Sequence, residues 1–181
     1  NTVLGTIYQR LGDLVRSDQA LKRALQNSGI SGWDRAEIQA LMARNAKTCW
    51  EAEWYEMEEL ADAQEAALSS PQLERSLDLY RKGFLEDRNH FYSGLNALAM
   101  STLITDLAAV QPEIWEDDFD SEEEAALKLI RKAEVPVVPI YFHARNSRLF
   151  YRLSHMHEIF RTAKLPSELS TQRNRSIKGR I

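Results

Sequence analysis

Cysteine is almost missing from this chain of 181 residues, which holds only Cys49. One thiol excludes an internal disulfide framework and any multi-cysteine zinc or iron–sulfur site, and its default setting is a reducing, cytoplasmic compartment. Glycine and proline are scarce as well, seven and five residues, about half the roughly 12% that average usage allots them. Val and Ile supply 16 residues against 42 for Ala and Leu. So few turn formers and β-branched residues exclude sandwiches and barrels and leave an all-α fold. There is no run of about 18 apolar residues, so no membrane span is expected. The opening NTVLGTIYQRLGDL has neither an initiator Met nor the basic and apolar regions of a signal peptide. It begins inside an amphipathic helix and reads as a piece of a longer protein.

The signatures of catalysis are missing too. The chain has no Gly-rich phosphate loop, no Walker-type lysine and no serine elbow. Three of its four histidines, His143, His155 and His157, lie toward the C-terminal end. His155 and His157 stand about 200° apart on a helix, and His143 would lie about 21 Å from His157 along one, so no metal site is assigned. Cys49 occupies an apolar helix position and reads as a small hydrophobe. Glu51, Glu53, Glu58 and Glu59 fall on a highly charged, solvated helix. No catalytic residue, cofactor or metal is expected, and the chain reads as non-enzymatic.

What is present is a repeat. Gly5, Tyr8 and the Gly12-Asp13 turn are followed by Leu21, Ala24 and Leu25. Gly5 and Ala24 are small residues where two antiparallel helices touch, with Tyr8, Leu11 and Leu21 filling the space beside them. Gly12 ends the first helix because it tolerates a positive φ. A second unit starts near Asp34, read as an N-cap with Glu37 three residues on. Its first helix carries Ile38, Leu41, Met42, Asn45 and Cys49. Matching Ala43 to Gly5 gives a step of 38 residues, slightly longer than the 34 of a tetratricopeptide repeat. Residues near 50–70 form a helical, acidic insertion; Trp50 and Trp54 share a face, and the cluster of Trp33, Trp50, Trp54 and Tyr55 reads as core, with a docking patch as the alternative. Pro71 opens a helix with Leu73, Leu77, Tyr80 and Phe84 on one side. A third unit begins at His90, with Phe91, Leu95, Leu98, Thr102 and Ile104 or Leu107 as its apolar stripe.

The spacing of Gly5, Tyr8, Gly12 and Ala24 resembles a tetratricopeptide repeat, with Ser17 and Leu21 replacing its usual Ala and aromatic. Residues 73–103 resemble the helical TRAFs-binding domain family, known from apoptosis signal-regulating kinase kinase kinases and bacterial tetratricopeptide proteins. The residues that carry this likeness are Tyr80-Arg81-Lys82-Gly83-Phe84 and, twelve positions on, Tyr92-Ser93-Gly94-Leu95-Asn96. The resemblance implies an all-α, tetratricopeptide-like right-handed stack of antiparallel helix pairs, an α-solenoid with a divergent C-terminal helical segment. It implies an interaction module of a signalling or defence protein.

Four segments follow from these patterns: repeats over 1–110, an acidic linker over 111–124, C-terminal helices over 125–166 and a basic tail over 167–181. Ser121 is placed as the N-cap of the helix after the linker, and Pro139 as the start of a last helix reaching about Lys164. The net charge of −4 conceals an opposition. Residues 1–134 hold 14 basic and 25 acidic side chains, a net of −11, whereas residues 135–181 hold 9 and 2, a net of +7.

In a tetratricopeptide pair the first helix lines the inner groove. The resemblance therefore implies partner-binding positions at Gln9 and Arg10, at Arg44 and Lys47, and at Tyr92, Ser93, Asn96, Ala97 and Met100. Three cations within an acidic region point to an extended protein or peptide partner bearing acidic side chains or a C-terminal carboxylate. The rival readings are a fragment of an enzyme whose catalytic domain lies outside the chain, and a nucleic-acid-binding module using the basic end. The acidic body disfavours nucleic acid, and no membrane partner is expected. The charge polarity provides a route to homo-oligomers, basic tail on acidic body.

Overall fold

The computed structural model of the chain describes residues 1–133. The helix expected over 139–164, the three histidines within it and the basic tail lie outside the described residues. Among the described residues the elements are helical throughout: α1 (Thr2–Arg10), α2 (Leu14–Leu25), α3 (Gly32–Trp54), α4 (Leu60–Ser69), α5 (Pro71–Glu86), α6 (Phe91–Val110), α7 (Pro112–Asp117) and α8 (Glu122–Ala133). The protein is an all-α stack of helical repeats. α1 pairs with α2 and α3 with α5, α4 being inserted in the second pair, while α6 packs on α5, and α8 packs on α6 with its end bonded to α5.

The repeat is visible at the level of single hydrogen bonds. In the first unit Ser17 Oγ of α2 donates to the Gly5 carbonyl at 2.8 Å, and in the second Ser76 Oγ of α5 donates to the Ala43 carbonyl at 3.1 Å. Both serines are fully buried. A small residue on the first helix lets the second approach, and a serine ties it to the exposed carbonyl. The register of Ala43 on Gly5 is thus observed directly. A Cβ added at Gly5 would stand 2.7 Å from the Leu21 side chain and 3.4 Å from the Ser17 carbonyl, so Leu21 and Ser17 crowd this position rather than Ala24. Ala24 packs instead with Leu21, Ile38 and Met42, and Leu11 stands exposed.

Local chemistry sets most helix ends. Gly12 has φ +79° and turns α1 into α2, where Asp13 caps by accepting from the Arg16 amide at 2.9 Å. The cap of α3 is Ser31 rather than Asp34, since its hydroxyl accepts from the Asp34 amide at 3.0 Å. Ser70 caps α5, with Pro71 at its first position. Ser121 accepts from the Glu124 amide at 3.2 Å and caps α8. The glutamates Glu122 to Glu124 and the cations Arg131 and Lys132 lie at the ends that the helix dipole favours.

Three sequence expectations change. Trp50 and Trp54 belong to α3, which runs straight into the expected insertion, so only residues 55–70 depart from the repeat. Both indoles are buried, and Trp50 Nε1 donates to the Ala67 carbonyl at 2.8 Å, which fastens α4 to α3. The buried stripe of α6 runs through Ser93, Asn96, Ala97, Met100, Leu103, Ile104 and Leu107, leaving Phe91 and Thr102 exposed. The acidic stretch after 110 contains α7, whose Trp115 is buried and donates to the Ala125 carbonyl at 3.1 Å. One helix, α6, would match a membrane span by length and composition, but 56% of that window is buried within the stack.

Candidate partner-binding face

The first helices of the units lie side by side, α1 against α3 and α3 against α6. Gln9 marks the first contact, its Nε2 donating to Asn45 Oδ1 at 2.6 Å. Asn45 then donates to Ser17 Oγ at 2.9 Å and to Asp18 Oδ1 at 2.8 Å. Asp18 also accepts from Arg75, so one polar chain joins α1, α2, α3 and α5. Neighbouring this chain, Arg10 and Arg44 are exposed, and neither enters an ion pair among the described residues. Lys47 is buried and pairs with Glu51 at 3.8 Å.

On α6 the structure divides the expected residues. Tyr92 is partly open, while Ser93, Asn96, Ala97 and Met100 are sealed in the core and cannot touch a partner. The cause is α5, whose Tyr80 and Gly83 cover this side of α6. Tyr80 and Tyr92 meet edge to face with ring centroids 5.9 Å apart. The Tyr80 hydroxyl is cut off from water and makes no well-formed hydrogen bond, although the Tyr92 phenol stands beside it. Burial first, and Tyr92 next, push its pKa far above the ordinary range, with Arg44 pulling in the opposite direction. Asn96 donates to the Tyr92 carbonyl at 2.8 Å, and its Oδ1 is buried without a partner.

A carboxylate, imidazole and hydroxyl line up nearby. His90 Nε2 lies 3.0 Å from Glu37 Oε2 and its Nδ1 2.8 Å from Ser93 Oγ. The order suggests nucleophilic catalysis, but Ser93 is fully buried and lies 2.7 Å from where a Cβ on Gly83 would sit, leaving no room for a substrate carbonyl. The chain of bonds instead pins the start of α6 to α3. Trp33, half exposed, closes over the imidazole at 4.9 Å. Cys49 is a free, half-buried thiol whose pKa is raised, chiefly by burial and then by Asp18, with Arg75 opposing. Among the described residues no three His, Cys, Asp or Glu side chains converge as a metal site.

The open part of this face therefore consists of Arg10, Arg44, Trp33 and Tyr92. Sequence reasoning named Arg10, Arg44 and Tyr92 for this face, and grouped Trp33 with Trp50, Trp54 and Tyr55 as core; Trp50 and Trp54 are buried, but Trp33 and Tyr55 are exposed. That reasoning also missed Tyr80 and Glu51. Glu51 was legible as the i, i+4 partner of Lys47. Tyr80 was not, because it arrives from α5.

Two motifs that stood out in the sequence turn out to be one seam. Tyr80, Gly83 and Phe84 from α5 meet Ser93, Gly94 and Asn96 from α6, all buried. Arg81 donates to the Arg131 and Lys132 carbonyls at 3.1 and 2.7 Å, closing the end of α8. The model of the Tetratricopeptide Repeats-Sensor family matches residues 2–101, from α1 into α6. No curated protein and no solved structure matches the chain.

Proposed function

Because the chain belongs to the Tetratricopeptide Repeats-Sensor family, we propose that it is a non-catalytic interaction and regulatory module of a larger signalling or defence protein, working in the cytoplasm. Repeats of the tetratricopeptide type generally serve protein partners. The face of α1, α3 and α6 receives an extended, carboxylate-bearing segment. The observation that carries this reading is the pair of exposed arginines, Arg10 and Arg44, which have no ion-pair partner among the described residues and flank the Gln9 to Asn45 hydrogen bond in an otherwise acidic region. Trp33 and Tyr92 supply aromatic area on the same face, the residue type that dominates interface energetics. Lys47 acts by holding Glu51 rather than by touching the partner. The finer likeness to the TRAFs-binding family is part of the proposal, supported by the two motifs that meet at the α5/α6 seam.

The test is fluorescence anisotropy with labelled Glu-rich peptides, with free or amidated C-termini, against the native chain and its Arg44→Glu and Arg10→Glu variants. Reversal of either exposed charge leaves the fold intact and lowers affinity at least tenfold. Equal affinity for native and reversed chains would sink the proposal.

A further inference from the structure

The two ends of the described stack, α1 and α8, carry apolar side chains in opposite electrostatic settings. At the first end Val3, Leu4, Ile7 and Leu11, with Val15 of α2, are 38–73% exposed. Residues 3, 7 and 11 recur every fourth position and form one stripe along α1. They lie away from Gly5, which packs on α2. Exposed Arg10 ends this helix, and α1 contains no acidic residue. At the other end α8 leaves Leu127 and Ile130 each 55% exposed, on the face that Glu123 begins. The opposite side of α8 is already used, with Ala125 buried against Trp115.

Large exposed apolar side chains gathered on one face mark an interaction site. A helical stack grows by laying the first helix of one unit against the last helix of the unit before it. We propose that a second copy of this chain docks head to tail, its α8 antiparallel on α1. The stripe Val3, Ile7, Leu11 then meets Leu127 and Ile130. The antiparallel arrangement brings Glu122, Glu123 and Glu124 at the start of α8 beside Arg10 at the end of α1. Pairing α1 with another α1 offers Arg10 no carboxylate, which makes α8 the better partner. The contact is heterologous, so each added copy leaves one free end of each kind and the assembly propagates. It shares Arg10 with the proposed peptide-binding face but uses none of Arg44, Trp33 and Tyr92, and the residues substituted below, Leu11 and Leu127, lie outside that face, so the two readings fail independently.

Sedimentation velocity of the complete chain over a micromolar to millimolar range tests this. The mass rises with concentration without levelling at a dimer. Leu11→Asp and Leu127→Asp each weaken association at least tenfold while circular dichroism stays native, because both side chains are solvent-facing. Mixing the two variants restores one-to-one dimers, since each keeps the end that the other has lost. A native chain that stays monomeric, a plateau at the dimer, self-association of Leu127→Asp at the native level, or a mixture that yields no dimer each overturns the proposal.

Discussion

A methyl group added to Gly83 probes the junction of α3, α5 and α6. On helix propensity alone Gly83→Ala should stabilise α5 by about 1 kcal/mol. The surroundings reverse the sign. A Cβ at this position would stand 2.7 Å from Ser93 Oγ and 3.0 Å from the Ala36 carbonyl oxygen. Ser93 cannot swing away without losing its contact to His90 Nδ1 at 2.8 Å, and the Ala36 carbonyl is fixed in α3. Overpacking of this kind costs about 1–3 kcal/mol, and a lost buried hydrogen bond adds about 1 kcal/mol. Less the propensity gain, the net destabilisation is about 1–3 kcal/mol. At roughly 2–4 °C per kcal/mol for chains of this size, Tm falls by about 2–12 °C. Far-UV circular dichroism melts and urea titrations read it, with Gly29→Ala as the control, where the nearest atom is Asn27 Oδ1 at 3.5 Å. Adding Ser93→Ala removes the nearer clash and recovers part of the loss, the Ala36 contact keeping the rest. A Gly83→Ala protein as stable as the native one, or more so, refutes the reasoning.

Three further outcomes follow from the buried polar groups. Asn45→Ala removes three hydrogen bonds, to Gln9, Ser17 and Asp18, and costs about 2–4 kcal/mol at about 1 kcal/mol or more per lost bond; amide hydrogen exchange should rise most in α1 and α2, and a uniform rise across α5 and α6 would contradict the assigned network. Cys49, its pKa raised mainly by burial, reacts with iodoacetamide more slowly than a free thiol at neutral pH, with the rate still climbing above the ordinary thiol range; Asp18→Asn moves that profile to lower pH, and an unchanged profile is the contrary result. Tyr80 keeps its proton in the folded state well above the ordinary value of 10.0, so above that pH the unfolded chain binds fewer protons and stability falls as pH rises. Tyr80→Phe removes that alkaline loss and costs under about 0.5 kcal/mol at neutral pH, since the hydroxyl has no sound partner to lose; urea midpoints of the two proteins against pH decide it.

How far the fold could be read depended on whether each signal was local. Gly12, Pro71 and Ser121 act within their own turn, and all three mark the helix ends expected of them. Asp34 was displaced by Ser31 because the two residues bond each other and either satisfies the cap pattern. The burial pattern of α6 is a different kind of problem. Its sequence is apolar nearly all round, so periodicity cannot say which side faces inward. The decision comes from the packing of α5 and α8, and the polar groups it buries are met where they fall: Ser101 donates to the Lys132 carbonyl of α8, Ser93 contacts His90, and Asn96 donates back to the Tyr92 carbonyl of α6 itself.

The same distinction explains the partial view of the candidate face. The segment that carried the resemblance to the TRAFs-binding family, Tyr80 to Asn96, is patterned because it is a packing seam. Tyr80, Gly83 and Ser93 constrain one another at distances where a single methyl group does not fit. Residues that must fit each other leave a strong signal and have no freedom to meet a partner, so Ser93 and Asn96 could not be both motif and groove, and Met100 is sealed in the same core. The open positions, Arg10, Arg44, Trp33 and Tyr92, are exposed or partly open, so packing places little constraint on them. Their meaning emerges only when the fold sets α1, α3 and α6 side by side. In this stack the recognisable residues report the architecture, and specificity has to be sought among side chains that the packing leaves unassigned.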